Sequence, residues 1–208
     1  GTVTSQCAPG SAKSAFATSP VHESGGASTF QGEGRFHFPA PLDRLARTGA
    51  MTFDMDNSTG KYAPDNAAAL SGWDVGIPIK LVETMDGEVD VRFYGTISTD
   101  PRNPGIRIDP NTKGTRRVHI TVLDWMDYAS KYPLVNPGIQ TNQTGDEALA
   151  TMLTSIPIPP QNTNYDAGVV TFPTSFDTVT THTKAYSEMS KIAFSEMGYI
   201  YLQKDGVD

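Results

Sequence analysis

From residue 29 onward, apolar and polar positions alternate with a period of two. Phe36 and Phe38 bracket His37, Phe53 and Met55 alternate with Thr52 and Asp54, and Ile77, Ile79 and Leu81 alternate with Pro78 and Lys80. Successive side chains on a strand point to opposite faces, so each run predicts a half-buried strand. The clearest places Val89, Val91 and Phe93 against Asp90, Arg92 and Tyr94, after Met85-Asp86-Gly87. Its Asp-Gly supplies the positive φ angles of a tight hairpin. Val118, Ile120 and Val122 then alternate with His119 and Thr121. Five or more short strands separated by turn signals predict an antiparallel β-barrel, closed or nearly closed, over residues 29–132.

After Pro133 the period changes. Thr144-Gly145-Asp146-Glu147 has the form of a capping box, and Leu149, Met152, Leu153 and Ile156 follow at helical spacing until Pro157. A Pro/Asn-rich connection leads to a second predicted helix, about 182–197, with Ala185, Met189, Ile192 and Ala193 on one face and Gly198 as its stop. Tyr199 to Gln203 reads as a strand and Lys204-Asp205-Gly206 as a turn with no return strand before Asp208. Residues 133–208 are therefore expected to be a partial, truncated α+β domain. Residues 1–28, mostly Ser, Gly, Ala, Thr and Pro, read as an extended or disordered arm that either reaches a neighbour or belongs to a preceding domain. The expected fold class is mainly β with α+β.

Composition agrees with short strands joined by turns: 208 residues hold 19 Gly and 15 Pro, 38% hydrophobic and 19% charged residues. The net charge of -7 disfavours a general nucleic-acid binder. Arg102, Arg107, Lys113, Arg116 and Arg117 crowd one stretch, but Asp100 and Asp109 lie among them and no aromatic interleaves for base stacking, so the stretch reads as a solvated loop. The single cysteine, Cys7, excludes an internal disulfide. No apolar run approaches the roughly 20 residues needed to span a bilayer.

Candidate chemistry is sparse. Asp54, Asp56, Ser58, Gly60 and Asp65 suggest a calcium loop, but an EF-hand register starting at Asp54 meets Thr59 where Gly is needed and Asp65 where Glu is needed. Strand alternation instead puts Asp54 and Asp56 on a solvent face. Glu23-Ser24-Gly25 and Leu70-Ser71-Gly72 lack the frame of a nucleophile elbow, and His22, His37, His119 and His182 each stand alone. Trp73, Tyr94, Trp125, Tyr128, Tyr132, Tyr199 and Tyr201 would stack on sugars if exposed together, and otherwise form core and interface. Catalytic residues, metal ligands and cofactors are not expected.

The words AMTFDMDNSTGKYAPDN, GIPIKL and VRFYGTI, in that order, resemble the first domain of bacteriophage tail-hub, baseplate hub and minor tail proteins. The family pattern falls on Asn57, Gly60, Lys61, Tyr62, Pro64, Asn66, Gly76, Pro78, Phe93 or Tyr94, and Gly95. The Asp124-Trp125 strand exit with a following helix, and AFSEMGYIYLQKDG, extend the resemblance loosely to residue 206. The chain departs from the pattern at AALSGWDV and in its longer Asp100–Thr115 loop. The resemblance implies a non-enzymatic structural subunit of the virion tail, phage- or prophage-encoded and made in the bacterial host cytoplasm. It also implies a homo-oligomer, a trimer, forming a ring round the lumen with the tube, distal tail, spike or fibre proteins as partners, without specific nucleic-acid binding. A carbohydrate-binding module at a tail tip is the alternative.

Overall fold

The computed structural model describes residues 3–6, 31–32, 44–86, 88–108, 117–160 and 162–202. Most of the expected arm, the Phe36–Phe38 strand, Cys7, His22, His37, Lys113, Arg116 and the turn at 204–206 lie outside the described residues. The described residues divide into two compact units, one comprising 3–6, 31–32 and those of 49–124 and the other comprising 44–48 with those of 125–202.

The first unit is one antiparallel sheet that curls into a half-barrel. Its strands are β1 (Val3–Gln6), β2 (Gln31–Gly32), β3 (Ala50–Asp56), β4 (Pro78–Met85), β5 (Glu88–Ile97), β6 (Ile106–Ile108) and β7 (Arg117–Leu123). The spatial order is β1-β4-β5-β7-β3-β2, with β6 also on β7. The hairpin predicted at Asp86 joins β4 to β5: Met85 faces Glu88 and Asp86 takes a φ of 53°. Farther along, Leu81 faces Phe93 but Val82 faces Val91, so Arg92 is an extra, bulged residue. The bulged guanidinium spans two carboxylates, Glu83 at 2.5 Å and Asp90 at 2.9 Å.

β7 is the centre of the sheet, and its Val118, Ile120 and Val122 are fully buried with Met51, Ile79 and Ile97. Each such side chain contributes about 1.5–3 kcal/mol on burial, so these alternating rows dominate the unit's stability. The alternation that predicted the strands is thus the physical cause of the sheet. Gly95 lets β5 close on β7, because a Cβ there would lie 2.4 Å from the Leu123 carbonyl oxygen.

The second unit contains α1 (Trp125–Lys131), β8 (Gln140–Thr144), α2 (Gly145–Thr154), β9 (Thr171–Ser175) and α3 (Ala185–Ser195). Its core joins Met126, Ala129, Leu134, Ala148, Met152, Ile156, Ala185, Met189 and Ile192 to Leu45 and Ala46. That last segment is held by a parallel bridge, in which Ala46 N–H donates to Ile200 O at 2.9 Å and Ile200 N–H to Arg44 O at 2.8 Å. At the predicted capping box, the Glu147 carboxylate accepts the Thr144 N–H at 3.0 Å, while the Thr144 hydroxyl donates to Asp146 at 2.6 Å.

α3 is shorter than the 182–197 span expected from its periodicity. Thr180 N–H donates to the Thr183 hydroxyl at 2.9 Å, and such local side-chain bonding holds the first residues in a turn. The stop also differs by one residue. Met197, not Gly198, takes the left-handed conformation, with φ of 54°, while Gly198 N–H donates to Ala193 O at 3.0 Å. Among the described residues, no helix is long and apolar enough to cross a membrane.

Candidate functional site

Asn57, Gly60, Tyr62 and Asn66 shape the loop that follows β3. Asn57 is only 3% exposed, and its Oδ1 accepts the Tyr62 N–H at 2.8 Å. A side-chain carbonyl thereby substitutes for a backbone partner, as Asn does in turns. Gly60, with φ of 75°, donates to Asn57 O at 2.9 Å, and a Cβ there would lie 2.6 Å from Asn66 Nδ2. Asn66 in turn accepts Ala68 N–H on Oδ1 at 2.9 Å. Lys61 is exposed and Pro64 half-buried; the Lys61 carbonyl accepts Leu70 N–H at 2.9 Å.

Tyr62 and Trp73 close the loop over the sheet. Their rings meet edge to face, 5.4 Å apart, and Trp73 Nε1 donates to the Tyr62 carbonyl at 3.1 Å. Gly76, with φ of 79°, donates to Ile97 O at 2.9 Å and leads into Pro78, the first residue of β4, where no ladder N–H is lost. Asn57, Gly60, Tyr62, Asn66 and Gly76 thus come together in one loop; Gly95 acts separately at the β5–β7 contact. Trp73, only 4% exposed, is core and is not offered to a ligand with Tyr94.

One histidine is not isolated. His119 Nδ1 lies 2.7 Å from Asp54 Oδ1, directly across the β3–β7 ladder, and Arg107 of β6 occupies the same row. No nucleophile accompanies this outward-facing pair in the row, and it is a cross-strand hydrogen-bonded pair on the solvent face. No group of three or more His, Cys, Asp or Glu side chains able to hold a metal occurs among the described residues. Asp56 accepts from the backbone and hydroxyl of Ser58, as a turn-capping Asp does, rather than facing a shared ion site.

The second unit holds two features that sequence pattern did not anticipate. At the N-terminal end of α2, Asp146 accepts the Thr144 hydroxyl and the Gly168 N–H, and these bonds hold its carboxyl below the ordinary value of 3.8. Beside it, the Glu196 carboxylate accepts the N–H groups of Val169 at 2.9 Å and Val170 at 3.2 Å. On α1, Trp125 Nε1 donates to the Ile158 carbonyl at 2.8 Å, and Tyr128 stacks on Tyr132 at 5.0 Å. Burial, the Tyr132 neighbour and an opposing backbone hydrogen bond from Ile158 leave the Tyr128 phenol raised from 10.0.

No family model and no curated protein matches the chain. Among solved structures, the chain is similar to the tail protein from Neisseria meningitidis MC58, at 13% identity and a TM-score of 0.55, over 99% of this chain and 48% of that one. It also aligns with the 43 kDa tail protein of prophage MuSo2 from Shewanella oneidensis, at 14% identity and a TM-score of 0.45, over 71% of this chain and 41% of that one. The chain spans less than half the length of either structure. The Neisseria likeness establishes a shared fold.

Proposed function

We propose that this chain is a structural, non-enzymatic subunit of a phage or prophage tail, acting in the hub or baseplate as part of a homotrimeric ring between the tail tube and the spike or fibre proteins. The observation that carries the reading is the Neisseria tail-protein fold followed over 99% of the chain. The finer position, the hub, is supported by the Asn57–Asn66 loop and the Gly76, Pro78 and Gly95 positions. In this chain Asn57, Gly60, Asn66, Gly76 and Gly95 set backbone shape, and Tyr62 packs on Trp73 in the sheet core. A net charge of -7 suits a subunit lining a lumen, since DNA would slide past without adhering.

Assembly is the mechanism of such a subunit, and an obligate ring buries roughly 2,000 Å² or more at each contact. Sedimentation of the full gene product at tens of micromolar is expected to return three times the protomer mass. A strictly monomeric full product would overturn the ring. A turbidity assay on bacterial cell walls is expected to show no clearing, and clearing that survives purification would contradict the non-enzymatic role. The glycan-binding alternative draws little from Trp73, whose buried indole already has a backbone partner.

A further inference from the structure

Two exposed apolar surfaces stand at opposite ends of the β8–β9 ribbon. Gln140 pairs with Ser175 and Thr144 with Thr171, so Ile139 lies beyond one end of the ribbon and Val170 beyond the other. At about 3.3 Å per residue, the two ends are roughly 15–20 Å apart. At the first end, Val135 and Ile139 flank the turn Asn136-Pro137-Gly138, and both are exposed, Ile139 to 67%. The turn is preformed: Asn136 Oδ1 accepts the Gly138 N–H at 3.1 Å, Gly138 takes a φ of 73°, and Gln140 Nε2 donates to Pro137 O at 3.2 Å. At its base, Leu134 N–H donates to Thr183 O at 2.8 Å.

At the other end, the Glu196 carboxylate holds the N–H groups of Val169 and Val170, and Met197 and Tyr199 follow it in the chain. All four apolar residues are exposed, Val169 to 88%. The charges within this surface are already engaged, Glu196 by backbone N–H groups and Arg44 by the Met197 carbonyl and the Tyr199 ring, 5.3 Å away. Met197 adds a second sign. Its left-handed φ is strained for a residue with a Cβ, yet its side chain is largely exposed, and strain kept at such a place points to a use outside the chain.

Counted at about 200 Å² for a fully exposed large side chain, the second surface offers roughly 500 Å² of apolar area and the first roughly 250 Å². A standard interface buries about 1,200–2,000 Å² in total, a little under 60% of it apolar, so about 700 Å² is the least it needs. One surface laid on the other meets that need. We propose that the two meet between copies of this chain, the Val135–Ile139 loop of one copy seating on the Val169, Val170, Met197 and Tyr199 surface of the next. Joining unlike ends covers both surfaces on every copy and generates a ring when the rotation between copies closes, whereas pairing like ends stops at a twofold dimer. The proposal rests on the ring reading above and names its contact.

The test is sedimentation of the full gene product carrying Ile139→Arg or Val169→Arg, each exposed in the chain. Either substitution places a charge in the contact and is expected to weaken self-association at least about tenfold. The Ile139→Arg copy keeps an intact receiving surface and the Val169→Arg copy an intact loop. An equimolar mixture should therefore recover pairs of twice the protomer mass and nothing larger, an outcome that only a contact between unlike ends produces. Val135→Arg and Met197→Arg give the same readings should either first variant lose its circular-dichroism signature. A trimer that neither substitution disturbs overturns this contact and leaves the ring standing. Failure of the mixture to pair also overturns it, and an unsubstituted product that stays monomeric overturns contact and ring together.

Discussion

At the scale of single residues, the loop after β3 shows how a few side chains define a backbone path. Asn57→Ala removes the acceptor of the Tyr62 N–H in a buried place, and an orphaned buried donor costs about 1–3 kcal/mol. The loss should appear as a lower urea midpoint with unchanged slope; no shift would show that the loop does not depend on this bond. Gly60→Ala should cost more than Gly76→Ala. Both sit at positive φ, worth about 1–2 kcal/mol for a residue with a Cβ, but at Gly60 the added carbon also meets Asn66 at 2.6 Å, against 3.5 Å to Thr99 at Gly76. Asp146 adds a pH dependence. Its folded value is depressed, chiefly by the Thr144 hydroxyl, so its contribution is present above the ordinary value of 3.8 and disappears as pH falls through the lower folded value. Thermal melts of Asp146→Asn should therefore lose part of the acid dependence below pH 3.8 and keep the same profile above it.

At the scale of elements, helix α3 ends in a full Schellman arrangement built on the wrong residue type. Met197 N–H donates to Phe194 O at 3.2 Å and Gly198 N–H to Ala193 O at 3.0 Å, leaving Met197 in the left-handed position usually given to glycine. Met197 is 74% exposed, so little packing is lost on truncation. Met197→Gly should accordingly raise stability by about 0.5–1 kcal/mol; a destabilised variant in chemical denaturation would mean that the exposed side chain makes a contact of its own. The strands β3, β4, β5 and β7 were legible because each alternates apolar and polar residues against one buried face. The β8–β9 ribbon was not, since Gln140 to Thr144 is entirely polar and Pro173 interrupts β9; Val169-Val170-Thr171-Phe172 was the remaining signal.

At the scale of the whole molecule, side-chain pairs distant in sequence were beyond the reach of pattern. Asp54 and His119, 65 residues apart, meet only because the β3–β7 register sets them opposite each other. The loop around Trp73 has no periodicity that separates core from exposed stacking surface, and its burial follows from the turn at Asn57 and Gly60 folding the loop back. Segment 44–48 offered no sign that it packs with residues 125–202, because a short parallel bridge such as Leu45 with Ile200 leaves no repeat in the sequence. Asn57, Gly60 and Asn66 hold one loop through short-range hydrogen bonds, and Tyr62 and Trp73 of that loop join the sheet core.

The proposed role in a phage tail places the chain in the virion. Gold-labelled antibody raised against the chain, applied to purified particles from a producing host and viewed by electron microscopy, tests it most directly. Label concentrated at the capsid-distal end of the tail is the predicted result; particles that contain no trace of the chain, in a host that expresses it, would contradict the account.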